Sequence, residues 1–334
     1  MIVSYNSKIF LEDCLSSIFA STVDNLVVYL VDNNSSDGSV NFAKKNYPAV
    51  RVIESKENLG FAGGNNLGIR EALKHKPEHI FLLNPDTIIA KDCLAKLLEK
   101  ADQKTVMQPL ILIHDGTSKT DLINTTGNHL NFLGISYCDD YKKTSTVAQE
   151  KEITTASGAA VWFPASILRK IGLFDESFFL YHEDLDLCWR ARLYGYNIKL
   201  IPDAKIWHKY SFSRNKNKFF YIERNRLLFL YKNFSWKYLI LIFPAFLINE
   251  IAMILYSLPS GWFPLKMKSY YSAIQLLGKE SKERKNNFSN HIKTETNLKN
   301  FINAEISFSE VKNPLFHPYN VILKLYWAAI FLFV

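Results

Sequence analysis

The sequence predicts an α/β domain with a mostly parallel central sheet flanked by helices, followed by a helical, apolar C-terminal appendage. Three observations predict it. Through the first third, short apolar runs alternate with segments of helical spacing, as parallel α/β folds require. Several of those runs end abruptly in turn-forming residues. Beyond Lys209 the composition turns aromatic, basic and strongly apolar. A chain of 334 residues holds one large domain, residues 1–233, and a smaller helical region, 234–334.

In order, Ile2-Val3 is the stub of a first strand, and Ile9 to Ser21 has helical spacing at Leu11, Leu15, Ile18 and Phe19. Leu26 to Val31 is a β-rich run that stops at DNNSSDGS, a cluster of turn and N-cap formers. Ser39 to Lys45 reads as a helix and Val50 to Glu54 as a third strand. Asn58 to Gly64 is glycine-rich, and a helix is expected from Asn65 to His75. Ile80 to Leu83 is a buried strand running into NPDT, with another helix at Lys91 to Ala101. Val106 to His208 mixes strands with a polar stretch, Cys138 to Lys151, read as a loop.

Composition narrows the classes. The chain is 48% hydrophobic and 22% charged, which fits a folded globular protein and not a disordered one. Its formal charge of +8 favours anionic partners such as nucleotides or acidic headgroups, or serves solubility. Cys14, Cys93, Cys138 and Cys188 are scattered without a CxxC pair, which argues against a disulfide framework and a zinc site. The start, MIVSYNSKIF, shows no secretory signal.

In open parallel sheets, ligands sit at the C-terminal ends of the strands. The clusters SYN, DNNSSDGS and NPDT fall at such ends. Asp32 can accept a hydrogen bond from a pyrimidine ring N–H, Asn33 can both donate and accept, and Tyr5 can stack on the ring. The plainer reading is that Asp32 and its neighbours cap the next helix. Asp86, in a tight Asn-Pro-Asp turn, can hold Mg²⁺ or Mn²⁺ together with diphosphate oxygens, or cap the helix that follows. Glu183, Asp184 and Asp186 crowd together beside Phe178, Phe179 and Tyr181. Such crowding calls for cationic or hydrogen-bonding partners, which Arg190 and Arg192 can supply along a helix. A carboxylate held in this way can act as general base; otherwise the charges simply complement a helix N-terminus. His208 after Trp207 carries little alone.

Taken together, VSYN, VDNNSSDGS, ENLGFAGGNNLGI, LLNPDT, GAAVWFPASILRKIGLFDESFFLYHEDLDLCWRARLYGY and IWH closely resemble glycosyltransferase family 2, and within it the rhamnosyltransferase-like branch. The resemblance covers Met1 to Asn233. It implies a GT-A fold, a metal-dependent donor site and inversion at the anomeric carbon. On it, Val3, Tyr5, Asp32, Asn33, Gly64, Asn65 and Asn84 would form the nucleotide-sugar site. Asp86 and His208 would hold Mg²⁺ or Mn²⁺. Asp184 would be the catalytic base, with Glu183, Asp186 and Gly158 at the acceptor site. The metal motif departs from the family pattern, reading Asn84-Pro85-Asp86 with one acidic position where two are usual. Asn33 stands where a second aspartate is often found, leaving uracil and thymine both open.

In the C-terminal region, Tyr238 to Leu258 is long enough to span a bilayer core, but Asn249, Glu250 and Pro244 oppose a clean span. A helix lying on the membrane is expected, with Leu325 to Val334 as a second apolar segment and Lys279 to Lys285 facing anionic headgroups. A homo-oligomer made through these helices is the alternative. The expected function is transfer of a sugar from dTDP-rhamnose or a UDP-sugar to a lipid-linked saccharide. The setting would be cell-envelope polysaccharide synthesis at the cytoplasmic face of the membrane, without nucleic acid. A non-catalytic nucleotide-sugar-binding subunit is the second reading, and the intact Asp86, Asp184 and His208 speak against it. A nucleotidyltransferase would need a basic, glycine-rich phosphate loop near the N-terminus, and none is present.

Overall fold

A computed structural model describes residues 1–146, 149–209, 217–290, 292, 294–307 and 316–334. The first half runs β1 (Ile2–Ser4), α1 (Lys8–Phe19), β2 (Tyr29–Asp32), α2 (Ser39–Asn46), β3 (Arg51–Glu54), α3 (Gly60–Lys74), β4 (His79–Leu83), β5 (Thr87–Ile89) and α4 (Cys93–Lys100). Then come β6 (Thr105–His114), β7 (Lys119–Thr125), β8 (His129–Asn131), β9 (Ser136–Tyr137), β10 (Lys151–Glu152), β11 (Ala160–Pro164), α5 (Ala165–Ile171), α6 (Glu183–Leu193) and β12 (Asn197–His208). The rest is helical apart from one short strand: α7 (Lys218–Asn233), α8 (Trp236–Ser257), α9 (Phe263–Asn290), α10 (Glu295–Leu298), β13 (Ile302–Asn303) and α11 (Phe316–Phe331).

The main sheet has the order β10-β12-β6-β11-β4-β1-β2-β3, with β5 added to β12 and β7 to β6. It is parallel from β4 through β3 and again between β6 and β12. Between those parts β11 runs antiparallel to both neighbours, so the sheet is mixed. Register explains the clustering of polar loops: Ser4 lies beside Asp32, and Ile2 beside Leu83. The chain therefore leaves β1, β2 and β4 at one edge, where Tyr5, Asn33 and Asn84 follow. Because β11 is reversed, its first residue Ala160 pairs with Leu83 and brings Gly158 to that same edge.

Two expectations need correcting. The helix expected from Asn65 already begins at Gly60, inside the glycine-rich stretch. Its glycines serve contact: a Cβ on Gly64 would lie 2.7 Å from Val3 Cγ1 and 3.0 Å from Asn33 Nδ2. Small residues here let the helix lie directly on the sheet. The β-rich run at Leu26 also forms a strand only from Tyr29. The Cys138–Lys151 stretch is irregular up to β10, with residues 147–148 outside the described residues.

The boundary expected at Asn233 is not matched by a break in the core. One buried cluster joins Phe132, Phe178, Leu185 and Trp189 to Phe229, Tyr238, Ile242 and Trp327. Behind it lies a buried ionic network. Arg226 on α7 and Lys266 on α9 both bond to Glu223 and to Glu250 of α8, and Tyr270 also donates to Glu250. Charges removed from water in this way are tolerable only when each has its counter-charge.

Candidate active site

The segment from Phe178 to His182 delivers the acidic residues of α6, and it is held in unusual backbone geometry. Phe179, Tyr181 and His182 have φ of 62°, 67° and 67°. Left-handed non-glycine residues cost about 1–3 kcal/mol each and persist only where surroundings enforce them. Here Asn225 Nδ2 donates to the carbonyls of Phe178, Leu180 and Tyr181 at 2.8, 2.9 and 2.6 Å. Arg224 Nη2 donates to the carbonyls of Ser177 and Phe178. The Phe179 carbonyl accepts from Phe61 N–H at 2.7 Å. Gly60 permits the approach, since a Cβ there would lie 2.5 Å from the Phe179 carbonyl oxygen.

The three carboxylates that follow meet different fates. Asp186 is fully buried and accepts from Arg190 Nε at 2.9 Å, Lys232 Nζ at 3.2 Å and Asn233 Nδ2 at 2.9 Å. Burial alone would raise its carboxyl; the Lys232 and Arg190 cations outweigh that and hold it below its ordinary value. Asp186 is therefore committed to internal partners, which differs from the acceptor-site role expected of it. Asp184 is held by neutral donors: Gly158 N–H bonds its Oδ2 at 2.9 Å and Leu185 N–H its Oδ1 at 2.8 Å. Burial raises its carboxyl above the usual range, only partly opposed by those bonds. Glu183 is raised well above its ordinary value by burial and then by Asp184, and its buried Oε2 has no hydrogen-bond partner. Gly158 is needed where it stands: a Cβ would fall 3.0 Å from Phe61 Cζ and 3.5 Å from Asp184 Cβ.

At the ends of the parallel strands, Asp32 is buried; its Oδ2 accepts from Ser35 N–H at 2.9 Å while its Oδ1 has no partner. An orphaned buried acceptor suits a ring N–H arriving from a ligand. Tyr5 is half exposed beside it. Asn33 is used internally, its Nδ2 donating to the Gly60 carbonyl at 2.7 Å and its Oδ1 accepting from Leu59 N–H at 3.3 Å, which ties β2 to α3. Asn65 likewise bonds back to the Phe61 carbonyl. The Asn84 carbonyl takes the Thr87 hydroxyl at 2.6 Å and shapes the turn that presents Asp86.

His208 ends β12 opposite Thr87. Its Nε2 lies 3.1 Å from Asp86 Oδ1, and its Nδ1 lies 3.1 Å from Asn124 Oδ1. With Asn124 accepting from Nδ1–H, the Nε2 lone pair and the Asp86 carboxylate converge. Two cis ligands of an octahedral cation at about 2.1 Å lie about 3 Å apart, so the pair fits one divalent ion. The described residues bring no third His, Cys, Asp or Glu to this point. Mg²⁺ and Mn²⁺ sites often complete their shell with substrate phosphates and water.

Sequence reasoning missed Asn124, Phe61 and the α7 residues Arg224, Asn225, Lys232 and Asn233. One signal was available: Glu223-Arg224-Asn225-Arg226 is a polar run inside an otherwise aromatic and apolar helix.

A mixed sheet with ligand loops at one edge, an acidic turn facing a histidine and a buried carboxylate on α6 define the GT-A glycosyltransferase fold. The chain belongs to glycosyl transferase family 2, whose family model matches residues 1–172. It is similar to the low-salt glycan biosynthesis hexosyltransferase Agl10 of Haloferax volcanii, 30% identical over 201 residues that cover 59% of this chain and 62% of that protein. The chain thus spans less than two thirds of that relative's length. It is also similar to the N-acetylglucosaminyl-diphospho-decaprenol L-rhamnosyltransferase of Mycobacterium tuberculosis, 26% identical over 236 residues, covering 64% and 76% of the two chains. Among solved structures, GalNAc-T7 with UDP, GalNAc and Mn²⁺ matches with a TM-score of 0.58 at 15% identity, over 70% of this chain and 48% of that one. S. aureus TarS 1-349 in complex with UDP-GlcNAc matches with a TM-score of 0.52 at 16% identity, over 86% and 88%.

Proposed function

We propose that this chain is an inverting glycosyltransferase that moves a sugar from a dTDP- or UDP-linked donor to a hydroxyl of a lipid-linked saccharide. The observation that carries the proposal is the division of labour among the α6 carboxylates. Asp186 is neutralised by cations, whereas Asp184 is held only by backbone N–H groups and raised by burial, which suits a general base near neutral pH.

In the reaction, Asp184 takes the proton of the acceptor hydroxyl as its oxygen bonds to the anomeric carbon. The bond from that carbon to the diphosphate oxygen breaks, and the nucleoside diphosphate leaves. One displacement reverses the anomeric configuration and leaves no sugar on the enzyme, the geometric logic of inverting glycosidases. Asp32 and Tyr5 bind the base, and Gly158 leaves room for the sugar against Phe61. Asp86 and His208 would hold Mg²⁺ or Mn²⁺, which when bound neutralises charge on the leaving diphosphate.

The relative whose name includes a diphospho-decaprenol acceptor supports a lipid-linked substrate. So does α8, whose outer face exposes Ile240, Phe243, Ile248, Ile251 and Leu255. We place the protein on the cytoplasmic face of the membrane in cell-envelope polysaccharide synthesis, with that face in the headgroup region. The test is to incubate the full chain with UDP- and dTDP-sugars, a divalent metal and a prenyl-diphosphate-linked saccharide, then assign the product linkage by NMR. Inverted configuration is expected; a retained one would remove Asp184 as a simple base.

A further inference from the structure

Beside the catalytic loop, α7 and α9 present rings and cations that the base, the metal pair and the nucleotide loops leave unused. Phe179 stacks on Tyr221 with centroids 5.3 Å apart, and Tyr221 meets Phe220 edge-on at 5.0 Å. Lys268 Nζ of α9 lies 5.2 Å over the Phe220 ring, and the Arg224 guanidinium lies 5.3 and 5.2 Å from the Phe220 and Tyr221 rings. Phe220 and Tyr221 are half-buried, and Lys268 is exposed.

Direct ion pairing is sparse here. Elsewhere in this region Arg190, Arg226, Lys232 and Lys266 each pair with a carboxylate. Among the described residues Arg224, though buried, hydrogen-bonds to uncharged acceptors, Asn225 Oδ1 and the carbonyls of Ser177 and Phe178, while the carboxylates of Glu280 and Asp175 act on it at longer range. Among the described residues Lys268 forms no ion pair, and its Nζ lies over the Phe220 ring. Lys268 thus stands on the aromatic pair without an ion-pair partner.

The location gives the patch a use. One end is Phe179, in the loop that leads into α6 and Asp184. The other end is α9, which packs against α8, the helix with the apolar outer face. We propose that this shelf binds the phosphate-bearing part of the acceptor. The rings of Phe220 and Tyr221 take the apolar face of the sugar next to the phosphate. Lys268 contacts phosphate oxygens, and the lipid continues along α8. The inference rests on the acceptor being lipid-linked and names the group by which this chain would recognise it.

The test uses the full chain, one donor and two acceptors with the same saccharide in phosphatidylcholine vesicles: a prenyl diphosphate and an uncharged alkyl glycoside. Lys268→Ala, at an exposed position, should raise KM for the diphosphate acceptor about tenfold and leave the alkyl glycoside within about twofold. Phe220→Ala should raise KM for both. Donor affinity, measured by calorimetry, should be unchanged in each. An equal effect of Lys268→Ala on the two acceptors, or none on either, overturns the inference. So does a parallel loss of binding to phosphatidylglycerol vesicles without acceptor, which would assign Lys268 to general headgroup attraction. A wild-type protein that uses the alkyl glycoside as well as the diphosphate would instead overturn the lipid-phosphate acceptor itself.

Discussion

Replacing Asp184 with asparagine separates the chemical role of this carboxylate from its structural one. As an aspartate it accepts two backbone bonds, from Gly158 at 2.9 Å and from Leu185 at 2.8 Å. An asparagine can accept one and must turn its NH₂ towards the other N–H, leaving a donor unsatisfied at about 1–3 kcal/mol. The chemical loss is larger. Without a base, turnover should fall about 10²–10⁴-fold, which corresponds to about 3–5 kcal/mol of barrier. The assay pairs kcat at saturating substrates with donor affinity by calorimetry and Tm by thermal melt. Donor affinity should persist, because Asp32 and the strand-end loops lie on other elements, and Tm should fall by a few degrees. The pH profile adds an independent check. The base must be unprotonated, and burial raises its carboxyl, so wild-type activity should fall with pH from above the ordinary carboxylate range. That acid limb should vanish in Asp184→Asn. Turnover within tenfold of wild type, with the acid limb retained, would refute the assignment.

Glu183→Gln tests the orphaned neighbour. A carboxyl raised in the folded state stabilises most below its unfolded pKa and loses that contribution as pH rises through the folded value. The Tm advantage of Glu183→Gln over wild type should therefore grow as pH rises above the ordinary carboxylate range, and a difference independent of pH would contradict it. Asp86→Ala and His208→Ala should each weaken Mg²⁺- or Mn²⁺-dependent binding of the nucleoside diphosphate, read by calorimetry; unchanged metal dependence in both would dismiss the pair. Changing Ile240, Ile248 and Leu255 together to glutamate should abolish co-sedimentation with vesicles while sparing donor binding. High salt should release the unmodified protein only in part, because apolar burial is not screened. A protein that stays soluble and loses a dimer on this change would assign the face to self-association.

The first strands and helices were legible because each signal is local: an apolar run, then turn formers, then helical spacing. The glycine-rich start of α3 was misread because its cause is not local. Glycine is poor in a helix interior by propensity, and only the contact of Gly64 with Val3 and Asn33 explains its presence. The same division runs through the site. Arg190 lies one turn from Asp186 and was visible as its partner, whereas Lys232 and Asn233 arrive from α7, 46 and 47 positions away. Their arrival commits an apparent acceptor-site acid to internal partners. His208 carried almost no meaning as a lone residue and gains it from Asp86, 122 positions earlier, and from Asn124. Motif resemblance could pair His208 with Asp86. It could not supply Asn124, which sets the proton on His208.

The polar residues inside the apolar helix show how one tally can mislead. Counted as facing lipid, Asn249 and Glu250 weigh against a clean span by Tyr238 to Leu258. In the fold both are turned inward: Glu250 meets Arg226, Lys266 and Tyr270, and Asn249 Oδ1 accepts from Tyr319 OH at 2.9 Å. Their desolvation is offset within the protein, so the outer face can be apolar without carrying them. The helix is 22 residues long and apolar enough to cross a bilayer by composition, yet its inner side belongs to the shared core. A helix whose polar side is committed to protein and whose apolar side is open suits a position lying in the membrane surface. The same geometry forbids a simple truncation after Asn233. Removing α8 to α11 would uncover Trp189 on α6 and Phe229 on α7, and would leave Glu223 and Arg226 without Lys266 and Glu250. Those are the helices that hold Asp184 and the strained loop before it. The proposed membrane face and the proposed base therefore share one core, and substitutions on the outer face of α8 are the way to test them separately.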